Sequence, residues 1–369
     1  MKIDFAKLSH QYKLYKQEID TAIHEVLDSS SYVLGPQVAL LEQKLAQFTG
    51  AGHSIACSSG TDALQLALMA LDIGPGDEVI TTPFTFIATA EMIARVQATP
   101  VFVDIEDRTY NIDPGKIEDA ITARTKAIMP VSLYGQTSDM DEIAALGAKY
   151  NLPVIEDAAQ SFGATYKGKK SCNLSALGCT SFFPAKPLGC YGDGGAVFTS
   201  DDQLAEKIRC LHVHGQNQRY RHKYLGICAR MDTIQAAVLL VKLGHYQEEM
   251  KMRQRVADLY SELLDGPAAV PKLGKDRTSV WAQYSIRVKN RDKVQEYLSG
   301  AGIPTAVHYP MPLHLQECFE YLKYSQGDFP TAEAVSREIM SLPMNPFLTE
   351  EEQQYTARKI KEALGTLSA

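Results

Sequence analysis

Residues 181–195 read SFFPAKPLGCYGDGG, and in them one lysine, Lys186, stands between two prolines just past an aromatic pair. A lysine near the end of a strand usually extends its amine to solvent. Here Phe182, Phe183, Pro184 and Pro187 predict a stiff, poorly solvated setting. Burial disfavours the ammonium form, lowers its pKa and frees a lone pair for attack on a carbonyl carbon. The glycines from Gly189 to Gly195 let the backbone pass close to a bulky ligand. A second group, Ser58-Ser59-Gly60-Thr61, lies between a strand pattern and a helix pattern. Free backbone N–H groups, a glycine and hydroxyls make a phosphate cradle at such a junction. The same residues also read as plain helix capping. A third, Asp157, closes the apolar run PVIED. Its carboxylate suits a sheet-end cap, a metal or a cationic ring nitrogen, and no nearby histidine supports the metal. One ligand answers all three groups: a phosphate, a ring nitrogen that wants a carboxylate, and an aldehyde that wants a lysine. That ligand is pyridoxal 5′-phosphate, whose protonated ring acts as an electron sink.

Elements must bring these groups together. Strand patterns run over His53–Cys57, Glu78–Thr82, Pro100–Ile105, Ala127–Leu133, Pro153–Glu156, Thr180–Phe183 and Ala196–Thr199. Helical patterns over Thr61–Leu71, Ala88–Val96 and Asp139–Tyr150 alternate with them, and a long one follows over Asp232–Leu263. Apolar strands alternating with helices predict an α/β fold with a largely parallel sheet covered on both faces. Ligands of such sheets sit at the carboxyl ends of the strands, where all three groups fall. From about residue 250 the pattern changes to a strand at Ala282–Val288 and helices over Arg291–Ala301, Thr331–Met340 and Glu350–Leu364. We therefore expect a large domain over 1–250, with an N-terminal helical segment, and a small one over 251–369.

Composition narrows the function classes. The 369 residues carry 37 basic and 44 acidic side chains, a net charge of -7, with no useful basic run. Nucleic acid and anionic membranes are thus poor partners. Seven scattered cysteines without a C-x-x-C pair suit reduced thiols in a cytoplasm, not a disulfide scaffold or zinc site. No 18-residue apolar stretch and no N-terminal apolar segment point to membrane insertion or export.

Taken in order, GTDAL (60–64), GDEVITTPFTFIATA (76–90), PVFVDI (100–105), LYGQ (133–136), DMDEI (139–143), VIEDAAQSFGA (154–164), SFFPAKPLG (181–189), GDGGA (192–196) and HG (214–215) span nearly the whole chain. This series resembles the DegT/DnrJ/EryC1/StrS sugar aminotransferases, fold-type-I pyridoxal-phosphate enzymes. The resemblance implies a large domain with a mixed, mostly parallel seven-stranded sheet between helices, a smaller α+β C-terminal domain, and a homodimer whose active sites use both subunits. It implies Gly60, Thr61 and Ser181 at the phosphate, Phe86 on the ring face, and Asp157 at the ring nitrogen. Gln160 would meet the ring's 3-oxygen and Lys186 would carry the cofactor. From the partner subunit, Arg230 is implied at a sugar carboxylate, while His308 and Tyr309 would line the sugar pocket. Phe86 reads otherwise as a core aromatic, and His308 as an ordinary buried histidine.

Within the family, Ser132 before Leu-Tyr-Gly, the stretch over 171–195 and TAVHYPMPLH (305–314) resemble the branch that acts on UDP-2-acetamido-2-deoxy-3-oxo-D-glucuronate. That implies transfer from L-glutamate to the sugar's C3 ketone, in bacterial O-antigen synthesis. A 4-keto nucleotide sugar is the alternative substrate, and a nucleotide-sugar binding protein without catalysis the alternative class. One departure stands out. Where the family pattern has an asparagine that reaches the phosphate across the dimer, this chain has Cys228, and a thiol is a weak donor that does not reproduce the amide.

Overall fold

The computed structural model describes residues 1–368. Three helices, α1 (Leu8–Leu14), α2 (Lys16–Ser29) and α3 (Pro36–Thr49), precede the sheet. Proline opens α3 and left-handed Gly50 closes it, which places the next residues in line for a strand. There follow β1 (His53–Cys57), α4 (Gly60–Ala70), β2 (Glu78–Thr81), α5 (Ala88–Arg95), β3 (Thr99–Phe102), β4 (Thr125–Ile128), α6 (Met140–Tyr150), β5 (Ile155–Asp157), β6 (Leu177–Ser181) and β7 (Gly195–Thr199). Helices α7 (Asp202–Leu211) and α8 (Thr233–Leu264) come next. Then β8 (Tyr284–Arg287), α9 (Arg291–Gly300), α10 (Pro330–Glu338), β9 (Ile339–Leu342) and α11 (Glu350–Ser368) complete the chain.

Strands β3, β2 and β4 pair in parallel. Strand β5 pairs in parallel with β6, and β7 pairs antiparallel with both β6 and β1. Parallel bridges Ile128↔Val154 and Val131↔Asp157 join the two groups. The result is one mixed sheet in the order β3-β2-β4-β5-β6-β7-β1, in which β7 alone runs against the others. On one face α4, α5 and α7 contribute Leu64, Leu68, Ile93 and Ile208; on the other α3 and α8 contribute Leu41, Leu45, Leu239 and Tyr246. Strands buried on both faces explain why their sequences read as unbroken apolar runs. No helix among the described residues is long and apolar enough to cross a membrane.

The C-terminal part builds its own cluster from Val256, Tyr260, Leu264, Tyr284, Ile286, Met340, Leu342 and Ile360. Ile3 packs into this cluster, and its N–H donates to Gly302 O at 3.1 Å. Helix α8, 32 residues long, runs unbroken through residue 250 and serves both clusters.

Some boundaries differ from expectation. The strand expected at Thr180–Phe183 is β6 and ends at Ser181; Phe182 is fully buried, but Phe183 is 51 % exposed. The expected Ala127–Leu133 strand stops at Ile128, and the chain turns at Leu133–Gly135. The helix expected through Met340 ends at Glu338. Ile339, extended at ψ 138°, starts β9, which pairs antiparallel with β8. A helix passing directly into a strand leaves no glycine or proline for the sequence to show.

Candidate active site

Because β7 alone is reversed, its first residue meets the last residues of its neighbours, and Ser181, Gly195 and Cys57 lie side by side. That edge of the sheet opens into a cavity of about 530 Å³. Gly60, Thr61, Phe86, Asp157, Gln160, Ser181, Lys186, His308 and Tyr309 all line it. Arg230 does not: it forms an antiparallel bridge with Cys57, behind the first strand's end. Cys228, on the same segment, is exposed.

Asp157 is 5 % exposed at the end of β5. Thr89 Oγ1 donates to its Oδ2 at 2.7 Å and the Ala159 N–H to its Oδ1 at 3.2 Å. Burial raises its pKa, while these two donors and the Lys186 charge oppose the rise. Lys186 is partly buried, and burial lowers its amine to about 8 against the pull of Asp157. Burial is the largest influence on both groups, raising the one and lowering the other, so each gains from a partner of opposite charge.

Gln160 is oriented from both ends. Its Oε1 accepts the Tyr134 N–H at 2.8 Å, and its Nε2 donates to Tyr309 Oη at 3.1 Å. The amide therefore presents its NH2 side, a donor, to the cavity. Tyr309 is held high by burial, so its phenol stays protonated. His308 Nδ1 lies 2.9 Å from Ser341 Oγ, and burial and then the Lys186 charge lower its pKa. Phe86 is 55 % exposed, with its ring centroid 6.2 Å from that of Tyr309. An exposed phenyl over a cavity leaves the core-aromatic reading without support.

At the start of α4 the capping reading holds. Ser59 accepts the Asp62 N–H at 3.0 Å as a helix cap, and Ser58 and Ser59 donate to the Asp62 carboxylate at 2.5 and 2.8 Å. Those two hydroxyls are thus engaged, while Gly60 and Thr61 face the cavity with Ser181. A Cβ on Gly60 would stand 2.6 Å from Ser181 Cβ, so glycine is what lets the helix start lie against the end of β6.

Sequence reasoning missed Thr85, Thr89, Tyr134 and Gln283, which line the cavity or hold its residues. Thr85 Oγ1 and Thr89 Oγ1 are 3.0 Å apart. Their i, i+4 spacing at the start of α5 was a readable signal. Nothing local marks Tyr134 or Gln283.

The donor set fits pyridoxal phosphate. A helix start stripped of side-chain bulk suits its phosphate, and a buried carboxylate suits a protonated ring nitrogen. A desolvated amine suits its aldehyde, and an exposed phenyl suits its ring face. The chain matches the DegT/DnrJ/EryC1/StrS aminotransferase family over residues 13–361. It is 53 % identical over 347 residues to a UDP-2-acetamido-2-deoxy-3-oxo-D-glucuronate aminotransferase of Pseudomonas aeruginosa, covering 94 % of this chain and 96 % of that one. It is 49 % identical over 366 residues to a pleiotropic regulatory protein of Geobacillus stearothermophilus, covering 98 % of each. Among solved structures, S. venezuelae DesV in complex with a ketimine intermediate superimposes with a TM-score of 0.97 at 38 % identity, covering 98 % of both chains. Lysine, carboxylate and helix start thus meet at the carboxyl edge of a sheet whose likeness extends over the full length, and the chain belongs to the DegT/DnrJ/EryC1/StrS family of pyridoxal-phosphate-dependent aminotransferases.

Proposed function

We propose that this aminotransferase moves the amino group of L-glutamate to the C3 ketone of UDP-2-acetamido-2-deoxy-3-oxo-D-glucuronate, giving the 3-amino sugar and 2-oxoglutarate. The carrying observation is the 53 % identity, over 94 % of this chain, to the Pseudomonas enzyme named for that substrate. We further read the product as an O-antigen precursor, the setting as cytoplasmic, and the working unit as a homodimer. In our reading, residues 1–250 form the cofactor domain and 251–369 the small domain.

Pyridoxal phosphate, when bound, carries the amino group between the two substrates and spreads the negative charge formed at carbon. Gly60 and Thr61 at the start of α4, with Ser181, hold its phosphate. Phe86 covers one ring face and the NH2 of Gln160 meets the 3-oxygen. Asp157 becomes the ion-pair partner of the ring nitrogen, which relieves the burial that raises its pKa. Lys186 holds the cofactor at rest and, once displaced, takes the proton from the donor's Cα. It later delivers a proton to the sugar's C3. One amine serves as base and then acid when its pKa lies near the working pH, and its value of about 8 meets that need. His308 and Tyr309 border the space left for the sugar. Arg230 stands outside its own chain's cavity, so its role at the uronate carboxylate requires the partner subunit.

Two measurements test this. Lys186→Ala is expected to lose the borohydride-fixed cofactor that the native protein retains after washing. In single turnovers with the aminated enzyme, the 3-keto UDP-uronate is expected to react faster than 4-keto UDP-sugars. The opposite preference would transfer the assignment to the 4-keto branch.

A further inference from the structure

Lys186 borders a second, smaller space. A cavity of about 80 Å³ lies on the side of Lys186 that faces the N-terminal residues, lined by Gln11, Lys186, Arg253, Gln283, His308 and Phe347 among others. It shares Ala185, Lys186, Gln283 and His308 with the larger cavity, so these four side chains are the wall between them. Arg253, on α8, is 6 % exposed. Its Nη1 donates to Trp281 O at 3.0 Å, but its buried Nε has no hydrogen-bond partner. Arg253 makes no ion pair among the described residues. The acid one turn earlier, Glu249, attracts Arg253 without pairing with it directly, and both its oxygens accept from the Gln11 amide at 2.8 Å. Gln283 Oε1, in the shared wall, is also unpartnered.

A buried guanidinium with no directly paired carboxylate is costly, and its planar fork matches a carboxylate in geometry as well as charge. The space holds a carboxylate and a little water, and is far too small for a nucleotide sugar. The α-carboxylate of an amino acid lies two bonds from its nitrogen. A carboxylate in this cavity therefore keeps that nitrogen beside Lys186, next to the acceptor oxygen of Gln283. We propose that the small cavity is the carboxylate subsite for the amino donor, with Arg253 binding the α-carboxylate of an α-amino acid. This rests on the reading that the donor is L-glutamate.

The experiment follows the donor half-reaction of the holoenzyme by cofactor absorbance, with L-glutamate and with its α-amide, isoglutamine. The native enzyme is expected to favour glutamate on the order of 100-fold, the penalty for leaving a buried charge unpaired. Arg253→Gln is expected to bring that ratio close to one, with Arg253→Lys between. The keto-sugar half-reaction, started from aminated enzyme, is expected to fall far less than the glutamate half-reaction. Equal use of both donors by the native enzyme overturns the proposal even if no variant folds. Retained discrimination in Arg253→Gln, or parallel loss of both half-reactions, also overturns it, since general damage spares neither half. A native enzyme that ignores glutamate sinks the proposal together with the donor. One that accepts glutamate but refuses the 3-keto sugar sinks only the assigned acceptor.

Discussion

At the residue scale the site is two groups whose proton affinities burial has shifted in opposite directions. Asp157 is raised and Lys186 lowered, each first by burial. Each raises or lowers the other only as a secondary effect, so the pair is poised for a ligand that supplies a cation to one and a carbonyl to the other. This has a pH consequence with a definite sign. Only the neutral amine attacks an aldehyde. The neutral fraction of Lys186 grows as pH rises through about 8, against 10.5 for an ordinary lysine. The rate at which apo-protein captures pyridoxal phosphate is therefore expected to rise roughly tenfold per unit below that midpoint and level off above it. Stopped-flow absorbance checks it, and a rate still climbing steeply at pH 10 would contradict the burial of Lys186. Lys186 and Asp157 were legible because each breaks a local pattern: a lysine between prolines, an acid ending an apolar run. The Thr89 hydroxyl on Asp157 was not, because a threonine in an apolar helix start has many ordinary uses.

At the element scale, function depends on how closely α4 approaches β6 and β7. Gly195 passes so near the start of α4 that a Cβ there would lie 2.3 Å from Ser59 O and 2.6 Å from Gly60 N. Gly60 is similarly tight against Ser181. Alanine has the better helix propensity by about 1 kcal/mol, yet overpacking costs about 1–3 kcal/mol, and at so close an approach the overpacking outweighs the gain in propensity. Gly60→Ala is thus expected to push α4 off β6 and weaken cofactor binding roughly 10- to 100-fold. An absorbance titration with pyridoxal phosphate, compared with melting of the apo-protein, separates this from general unfolding. Helix α8 works at the same scale in a different way. Tyr246 Oη donates to Phe162 O at 2.5 Å, Lys242 to Gly189 O, and Arg253 to Trp281 O. One buried helix face thereby fixes three loops that border the site. Periodicity predicted α8 almost to the residue, but not which loops its polar side chains would anchor.

At the scale of the whole molecule, one chain provides a cofactor pocket that lacks Arg230. The segment from Cys228 to Arg230 runs beside Cys57 and Ser58, where Ser58 N–H donates to Ala229 O at 3.0 Å, and its arginine is not among the residues that line the cavity. If each site borrows Arg230 from a partner subunit, two inactive variants complement each other. Lys186→Ala and Arg230→Ala homodimers, mixed and allowed to exchange, are expected to recover about a quarter of native activity, because half the dimers are mixed and each holds one intact site. No recovery under conditions of proven exchange would show that Arg230 does not act across the subunit interface.

The sequence by itself determined the alternation of strands and helices and singled out the helix start at Gly60, Asp157 and Lys186, because each is a local pattern of period, spacing or an out-of-place charge. It carried Phe86 and Gln160 only through resemblance, since a phenylalanine or glutamine in a loop has no local signature of a ligand. Only the tertiary structure decided that reversing β7 brings Ser181, Gly195 and Cys57 to one edge. It also decided that His308 and Tyr309, more than a hundred residues away, close the cavity, and that Arg253 is left buried with an unpartnered Nε. Those outcomes depend on strand order and on packing between distant segments, which no short window of residues contains.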